Sequence, residues 1–328
     1  MFERVSIFYP KSKYNTSSFA IAGRNLAYGF KKLGAEVSEK DIFTELSDAG
    51  DINIFIPWHY RVAFSDDYLR DTSILALIAD NDKFSEDMVS RLESGSYGMA
   101  WAPSRFVEKV FGVPKMACIP YPYSPGFKVG KKEKNDEPVV LISSAMLWHR
   151  RGLDISIKAL DALYSEGYKF KAILSIYDTN EFASQKSRPW LSIRGGFKTQ
   201  SEYNKLYRDS DIFLHPARGG AFEIPIVEAL VAGLTTVIPA RSPYADIPMS
   251  SSDVYFIGGE YKRVQGWSNK WHTGMMWEVS VDDTIEAMKK AFKHSLHIDT
   301  KEYKKRYSSE HIAMEMMDEY VELQNKAK

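Results

Sequence analysis

The chain has 328 residues, 44% of them hydrophobic and 26% charged, and its 43 basic side chains balance 43 acidic ones. That neutrality excludes nucleic-acid binding by bulk electrostatics, and a single cysteine, Cys118, excludes an intrachain disulfide or a Cys-x-x-Cys site. The longest strictly apolar run, 74–79, falls far short of the roughly 20 residues of a membrane span. The N-terminus mixes charges among its apolar residues where a secretory leader would not. The expectation is therefore a cytoplasmic chain of about two domains.

Short apolar runs at 5–9, 52–56, 74–78, 139–142, 172–176, 212–214 and 235–238 have the length and composition of buried parallel strands. Between them, 19–33 carries Ile21, Leu26 and Phe30 at helical spacing, and 153–163 carries Ile157, Leu160 and Leu163. The alternation predicts an α/β chain with parallel sheets. The proline-rich 120–126 and the charged 128–138 read as a connector. That divides the chain into a domain over 1–127, a linker over 128–138 and a domain over 139–305. Past it, 306–328 reads as an amphipathic helix with Ile312, Met316, Tyr320 and Leu323 on one stripe.

Several motifs are missing. No Walker phosphate loop, G-x-G-x-x-G, G-x-S-x-G or H-E-x-x-H occurs, and no histidines cluster at metal-ligand spacing. Two acidic triplets remain. Asp209-Ser210-Asp211 precedes a strand and reads as turn and capping chemistry. Asp80-Asn81-Asp82 ends an apolar run, where α/β sheets place their ligands, and paired carboxylates there suit a divalent ion on a diphosphate.

The richest stretch is 211–240. A strand ends near Pro216, and Arg218-Gly219-Gly220 forms a loop that lets a ligand approach the backbone. Pro225 suits a first helical turn and Gly233 the position just past a helix end, so a helix is predicted over 224–232. Its N-terminus makes an anion site, Arg218 adds a mobile positive charge, and Glu228 lies one turn in. The same residues read structurally as an ordinary strand–loop–helix unit with a solvated arginine.

This stretch resembles the donor segment of retaining glycosyltransferases of the GT-B fold, family-four group, whose pattern is E-G-F-G-x-P-x-x-E-A-x-A-x-G. Phe222, Pro225, Glu228, Ala229 and Gly233 match in register. Weaker likenesses follow in family order: Leu33 to Val37, Trp101 to Phe106, Gly112 to Pro114, and Arg151-Gly152-Leu153-Asp154 for K-G-x-D. The departures are specific. Gly220 stands at the family's first glutamate, Glu223 replaces a glycine three places on, and Ala145 falls where the family has an arginine, whose charge His149 and Arg150 could replace.

The resemblance implies two Rossmann-like domains with parallel sheets facing a cleft, and a C-terminal helix returning to the first domain. It implies transfer of a sugar from a nucleoside diphosphate sugar to an acceptor hydroxyl with retention. No cofactor or metal is required, and the partners are that donor and a carbohydrate or lipid-linked acceptor. The implied donor-binding residues are Ser144, His149, Arg150, Arg151, Arg218, Gly219, Gly220, Phe222, Glu223, Ile224, Pro225 and Glu228. Arg151 neutralises the leaving diphosphate, Glu223 binds sugar hydroxyls and Glu228 the ribose. Ser17, Ser18, His59, Asp80 and Asn81 face the acceptor side, with Asp82 positioning or deprotonating the acceptor. Two other readings stay open: a metal-dependent glycosyltransferase using Asp80 and Asp82, and a non-catalytic nucleotide-sugar binder. The basic run 301–306 would allow weak peripheral contact with anionic lipid.

Overall fold

The computed structural model describes residues 3–11, 17–43, 50–59, 70–132, 135–144, 149–177, 188–196, 198–241, 243–263 and 274–326. The chain forms two units. The first comprises Met1–Pro125, Val264–Gly274 and Lys305–Lys328, and the second Gly126–Arg263 and Met275–Lys304.

Unit one begins with β1 (Arg4–Tyr9), α1 (Ser18–Lys32), β2 (Glu36–Asp41), β3 (Ile52–Phe55) and β4 (Ser73–Ala76). It continues through α2 (Glu86–Ser94), β5 (Met99–Ala102), α3 (Arg105–Phe111) and β6 (Met116–Cys118). The strands form one parallel sheet in the order β2-β1-β3-β4-β5-β6. Its central strands are buried throughout, as continuous apolar runs covered on both faces should be.

Unit two holds β7 (Val139–Ser144), α4 (Leu153–Ser165), β8 (Lys171–Ile176), β9 (Leu191–Arg194), α5 (Gln200–Arg208), β10 (Ile212–Leu214), α6 (Ile224–Val231) and β11 (Thr235–Pro239). It continues with β12 (Val254–Ile257), β13 (Gly259–Lys262), β14 (Met276–Val279), α7 (Val281–Lys293) and α8 (Thr300–Arg306). Its parallel sheet runs β12-β11-β10-β7-β8-β9, and β13 and β14 make a separate antiparallel hairpin. The strand order reverses between β7 and β10. Open α/β sheets bind their ligands at the carboxyl edge of such a reversal.

The expected strands are all present, most with ends shifted by a residue or two. The helix expected over 224–232 ends at Val231, with Ala232 as its cap and Gly233 beyond it at φ +75°. The segment 126–138 is fastened to unit two. Phe127 packs edge-on to Tyr207, Lys132 pairs with Asp211 at 3.2 Å, and Asn135 Nδ2 donates to the same carboxylate at 2.7 Å. The C-terminal stripe is two helices. α8 stops at Arg306, and α9 (Ser309–Lys326) restarts after Ser308, whose hydroxyl accepts from His311 N at 3.2 Å.

α9 lies against α1 within unit one. The approach is so close that a Cβ on Gly29 would collide with the Ser309 carbonyl. Alanine for glycine inside a helix normally stabilises by about 1 kcal/mol. Gly29→Ala should instead destabilise by about 1–3 kcal/mol, the usual cost of overpacking, seen as a lower denaturant midpoint.

Candidate functional site

The reversal between β7 and β10 brings two loops together. One follows β7. Ser144 is the last residue of that strand; Ala145 lies outside the described residues, and the loop is described again from His149. The other runs from His215 to Glu223, between β10 and α6. Gly152 joins them. It adopts φ +68° as the residue before α4, and a Cβ there would strike the Pro216 carbonyl. Only glycine meets both demands.

Arg218 is not a mobile charge. It is 2% exposed and grips two carboxylates. Its guanidinium donates to Asp154 at 2.7 and 2.8 Å, to Glu278 at 2.7 and 2.8 Å, and to the His149 carbonyl at 2.6 Å. Its backbone N–H donates to Arg150 O at 2.8 Å, and its carbonyl accepts from Trp277 N and from Arg241 Nη1, both at 3.0 Å. Burial opposes the charge, but the hydrogen bonds to Asp154 and Glu278 outweigh it and hold the guanidinium pKa above its usual value. The result is a structural hub that carries β14 to the loop.

Arg150 and Arg151 stand on the loop that Arg218 holds. Arg150 Nη1 donates to Gly219 O at 3.2 Å, and Arg151 forms an ion pair with Glu223. Glu223 is 3% exposed and caps α6 by position, but its side chain makes no capping hydrogen bond and reaches back over the loop. Its Oε1 lies 2.5 Å from where a Cβ on Gly220 would be, and Tyr244 Oη lies 3.1 Å from that point. His215 Nε2 stands 4.0 Å from Glu223 Oε2. The Glu223 carboxylate thus lies beside position 220. Phe222 is 9% exposed at the loop's end, and Ile224 and Pro225 begin α6; Pro225 carries no N–H, and Ile226 N donates to the Glu223 carbonyl at 3.1 Å.

Glu228 occupies a different environment. It is 2% exposed, and Oε2 accepts from the Tyr203 hydroxyl at 2.7 Å and the Tyr207 hydroxyl at 3.2 Å. Ser143, near the end of β7, hydrogen-bonds Tyr203. Burial pushes the Glu228 carboxyl up to about 7, with the two tyrosine hydrogen bonds pulling the other way. Burial also pushes both tyrosines well above their usual value. Stacked rings link the two carboxylates: Tyr207 on Phe213 (6.2 Å between centroids), Phe213 on His215 (5.7 Å) and His215 edge-on to Tyr244 (5.9 Å).

The residues expected on the acceptor side belong to unit one. Ser17 caps α1, its hydroxyl accepting from Ala20 N at 3.3 Å, and Ser18 is the first residue of that helix. His59 is buried, its ring tilted against Phe84. Asp80, Asn81 and Asp82 follow β4. Asn81 is buried and donates to Gly274 O at 3.2 Å, and the Asp82 carboxylate lies against the α-carbon of Gly274. Among the described residues, no three His, Cys, Asp or Glu side chains group to hold a metal ion. Nor is any described helix long and apolar enough to cross a membrane.

Sequence reading missed His215, Tyr244, Glu278 and the Tyr203–Tyr207 pair. The tyrosines left a signal, two hydroxyl-bearing rings four apart on a helix that opens with a capping box.

No family model matches the chain. It is 27% identical over 227 residues to "Putative glycosyltransferase 45" of the Sulfolobus islandicus filamentous virus (isolate Iceland/Hveragerdi). The match takes in 66% of this chain and 63% of the viral protein, so it spans less than two thirds of that relative. Among solved structures, the chain is similar to a glycosyltransferase from Rickettsia africae ESF-5 (TM-score 0.71, 11% identity, 98% of this chain and 99% of that one). It is also similar to HepE of Anabaena in complex with UDP and glucose (TM-score 0.66, 11% identity, 96% and 98%). A third likeness is to WaaG, a glycosyltransferase of lipopolysaccharide biosynthesis (TM-score 0.56, 16% identity, 98% of each chain). The fold is GT-B, two Rossmann-like units each built on a six-stranded parallel sheet.

Two outcomes follow from the geometry. Arg218→Met leaves Asp154 and Glu278 without their shared partner and should cost about 3–5 kcal/mol in unfolding free energy. Glu228 makes stability depend on pH. Its folded carboxyl titrates near 7 and the unfolded one near 4.5. Its contribution is therefore fully present below about 4.5 and is lost as pH rises through about 7, at roughly 1.4 kcal/mol per pKa unit. His215 acts in the opposite sense. Burial lowers its pKa to about 4, against the pull of Glu223 and with help from Arg151 and Arg150, so its contribution is lost as pH falls from 6.5 to 4. Glu228→Gln removes only the first effect. Its melting midpoint relative to the parent should rise from pH 5 to pH 8; a difference independent of pH would mean the carboxyl is ionised throughout.

Proposed function

We propose that the chain is a glycosyltransferase that moves a sugar from a nucleoside diphosphate sugar to an acceptor hydroxyl, with retention at the anomeric carbon and without a tightly bound metal. One observation carries this reading. At the reversal between β7 and β10, two arginines, the N-terminus of α6 and two carboxylates in unlike environments converge. A diphosphate needs the first two, and a ribose and a sugar ring need the carboxylates.

In this reading Arg150 and Arg151, beside the N-terminal end of α6, take the diphosphate. They stabilise the negative charge that grows on it as the glycosidic bond breaks, where preorganised donors have most effect. Glu228, clamped by its tyrosines, accepts from the ribose hydroxyls, and Glu223 accepts from the sugar. Arg218 serves by fixing the loop and does not contact the donor. The structures with UDP in related folds make a uridine donor the first to try. The acceptor is a carbohydrate or a lipid-linked one, with Asp82 positioning or deprotonating its hydroxyl, as the resemblance implies.

A thermal-shift series with UDP, GDP and ADP, each free and as its glucose conjugate, with magnesium or with chelator, tests the reading. A bound nucleotide at about 100 times its Kd adds roughly 2.7 kcal/mol, a clear rise in midpoint. The expected result is a shift with one base, unchanged by chelator, lost in Arg151→Ala and in Glu228→Ala. A shift that needs magnesium would favour a metal site using Asp80 and Asp82. No shift with any nucleotide would overturn the reading.

A further inference from the structure

We infer that His215 and Tyr244, with Glu223, form the box that reads the hydroxyl pattern of the donor sugar, and so determine which sugar is accepted. This rests on the donor-site reading above. Neither residue belongs to a motif visible in the sequence.

The first support is an imbalance in hydrogen bonding. His215 is 2% exposed and Tyr244 fully buried, yet the His215 Nε2 and Tyr244 Oη atoms have no hydrogen-bond partner among the described residues. A buried polar atom left unpaired costs about 1–3 kcal/mol, so two such atoms facing one carboxylate mark a place built for something polar. The second support is convergence. Tyr244 Oη and Glu223 Oε1 lie 3.1 and 2.5 Å from the missing Cβ of Gly220, and His215 Nε2 lies 4.0 Å from Glu223 Oε2. The absence of a side chain at position 220 leaves that face of the loop to these three groups.

The third support is rigidity. The His215 ring stacks on Phe213, with an interplanar angle of 11°, and the Arg241 guanidinium covers the Tyr244 ring at 5.5 Å. Neither ring can swing away to find another partner. The chemistry is also specific. Burial keeps the imidazole neutral at physiological pH, so the box offers a carboxylate acceptor, a phenol and an uncharged imidazole, and Arg150 and Arg151 flank it on the phosphate side. That set suits neighbouring hydroxyls on a neutral sugar. A site of this kind discriminates strongly, because an analogue lacking one hydroxyl leaves buried groups unpaired.

The test compares the parent chain with Tyr244→Phe and His215→Gln. The probes are UDP, GDP and ADP, each free and as its glucose and galactose conjugates. Binding is measured by titration calorimetry and donor hydrolysis by product release. Ligand-free Tyr244→Phe should melt at the parent's temperature or slightly above, since it removes an unpaired hydroxyl. Both variants should bind the free nucleotide within about twofold of the parent. Both should bind the preferred sugar conjugate at least tenfold more weakly, with a smaller preference between the two epimers. Unchanged binding of free nucleotide and conjugate in both variants would overturn the inference, as would an equal loss of both ligands. A parent chain that binds none of the nucleotides would overturn the donor-site reading itself, and the inference with it.

Discussion

One almost fully buried arginine organises the loops at the sheet reversal of unit two. Arg218 lies in a loop, 64 residues from Asp154 and 60 from Glu278. By holding both it ties the start of α4, the end of β14 and the loop before α6 into one body. Such a cluster is costly to bury and stays stable only when every donor is used. Here the guanidinium spends its N–H groups on two carboxylates and a carbonyl, and its own backbone is held at both ends. Arg150 and Arg151 inherit their positions from it. The loop charge that seemed most available for a ligand is thus the one that makes the others available.

The two carboxylates of this edge differ for physical reasons. Glu223 faces a cation and Glu228 faces phenols. Glu223 is paired with a guanidinium; Glu228 accepts from two hydroxyls, and its burial, against the pull of those hydrogen bonds, makes it hold its proton more tightly. Both arrangements use groups supplied by other elements, Arg151 from the turn before α4 and the tyrosines from α5. The site is therefore a property of the sheet's topology, and α6 only presents one side of it.

Much of this was legible in the chain. Buried parallel strands are apolar for their whole length, so 139–142, 172–176 and 212–214 announce themselves. Pro225 and Gly233 bracket α6 because a helix tolerates proline at its start and glycine past its end. Strands that are polar or exposed left no such trace: β2 reads EVSEKD, and β13 is exposed at every residue. The hairpin was missed, and with it Glu278. Arg218 was read as mobile because both its counterions are distant in sequence. His215 and Tyr244 were invisible for a related reason. A lone histidine before a proline and a lone tyrosine opening a 3-10 turn acquire meaning only when folding turns them toward one carboxylate.

Unit one is assembled from early and late parts of the chain, since α9 packs on α1 with no room for a methyl group at Gly29. This bears on how the protein is made. During synthesis the sheet strands of unit one emerge before unit two, but the helix that covers α1 emerges after it. The second unit can close while the first still exposes an apolar helix face. The N-terminal half is then the last to mature, and a ribosome that stalls anywhere before residue 309 releases a chain whose first unit has no lid for its own core.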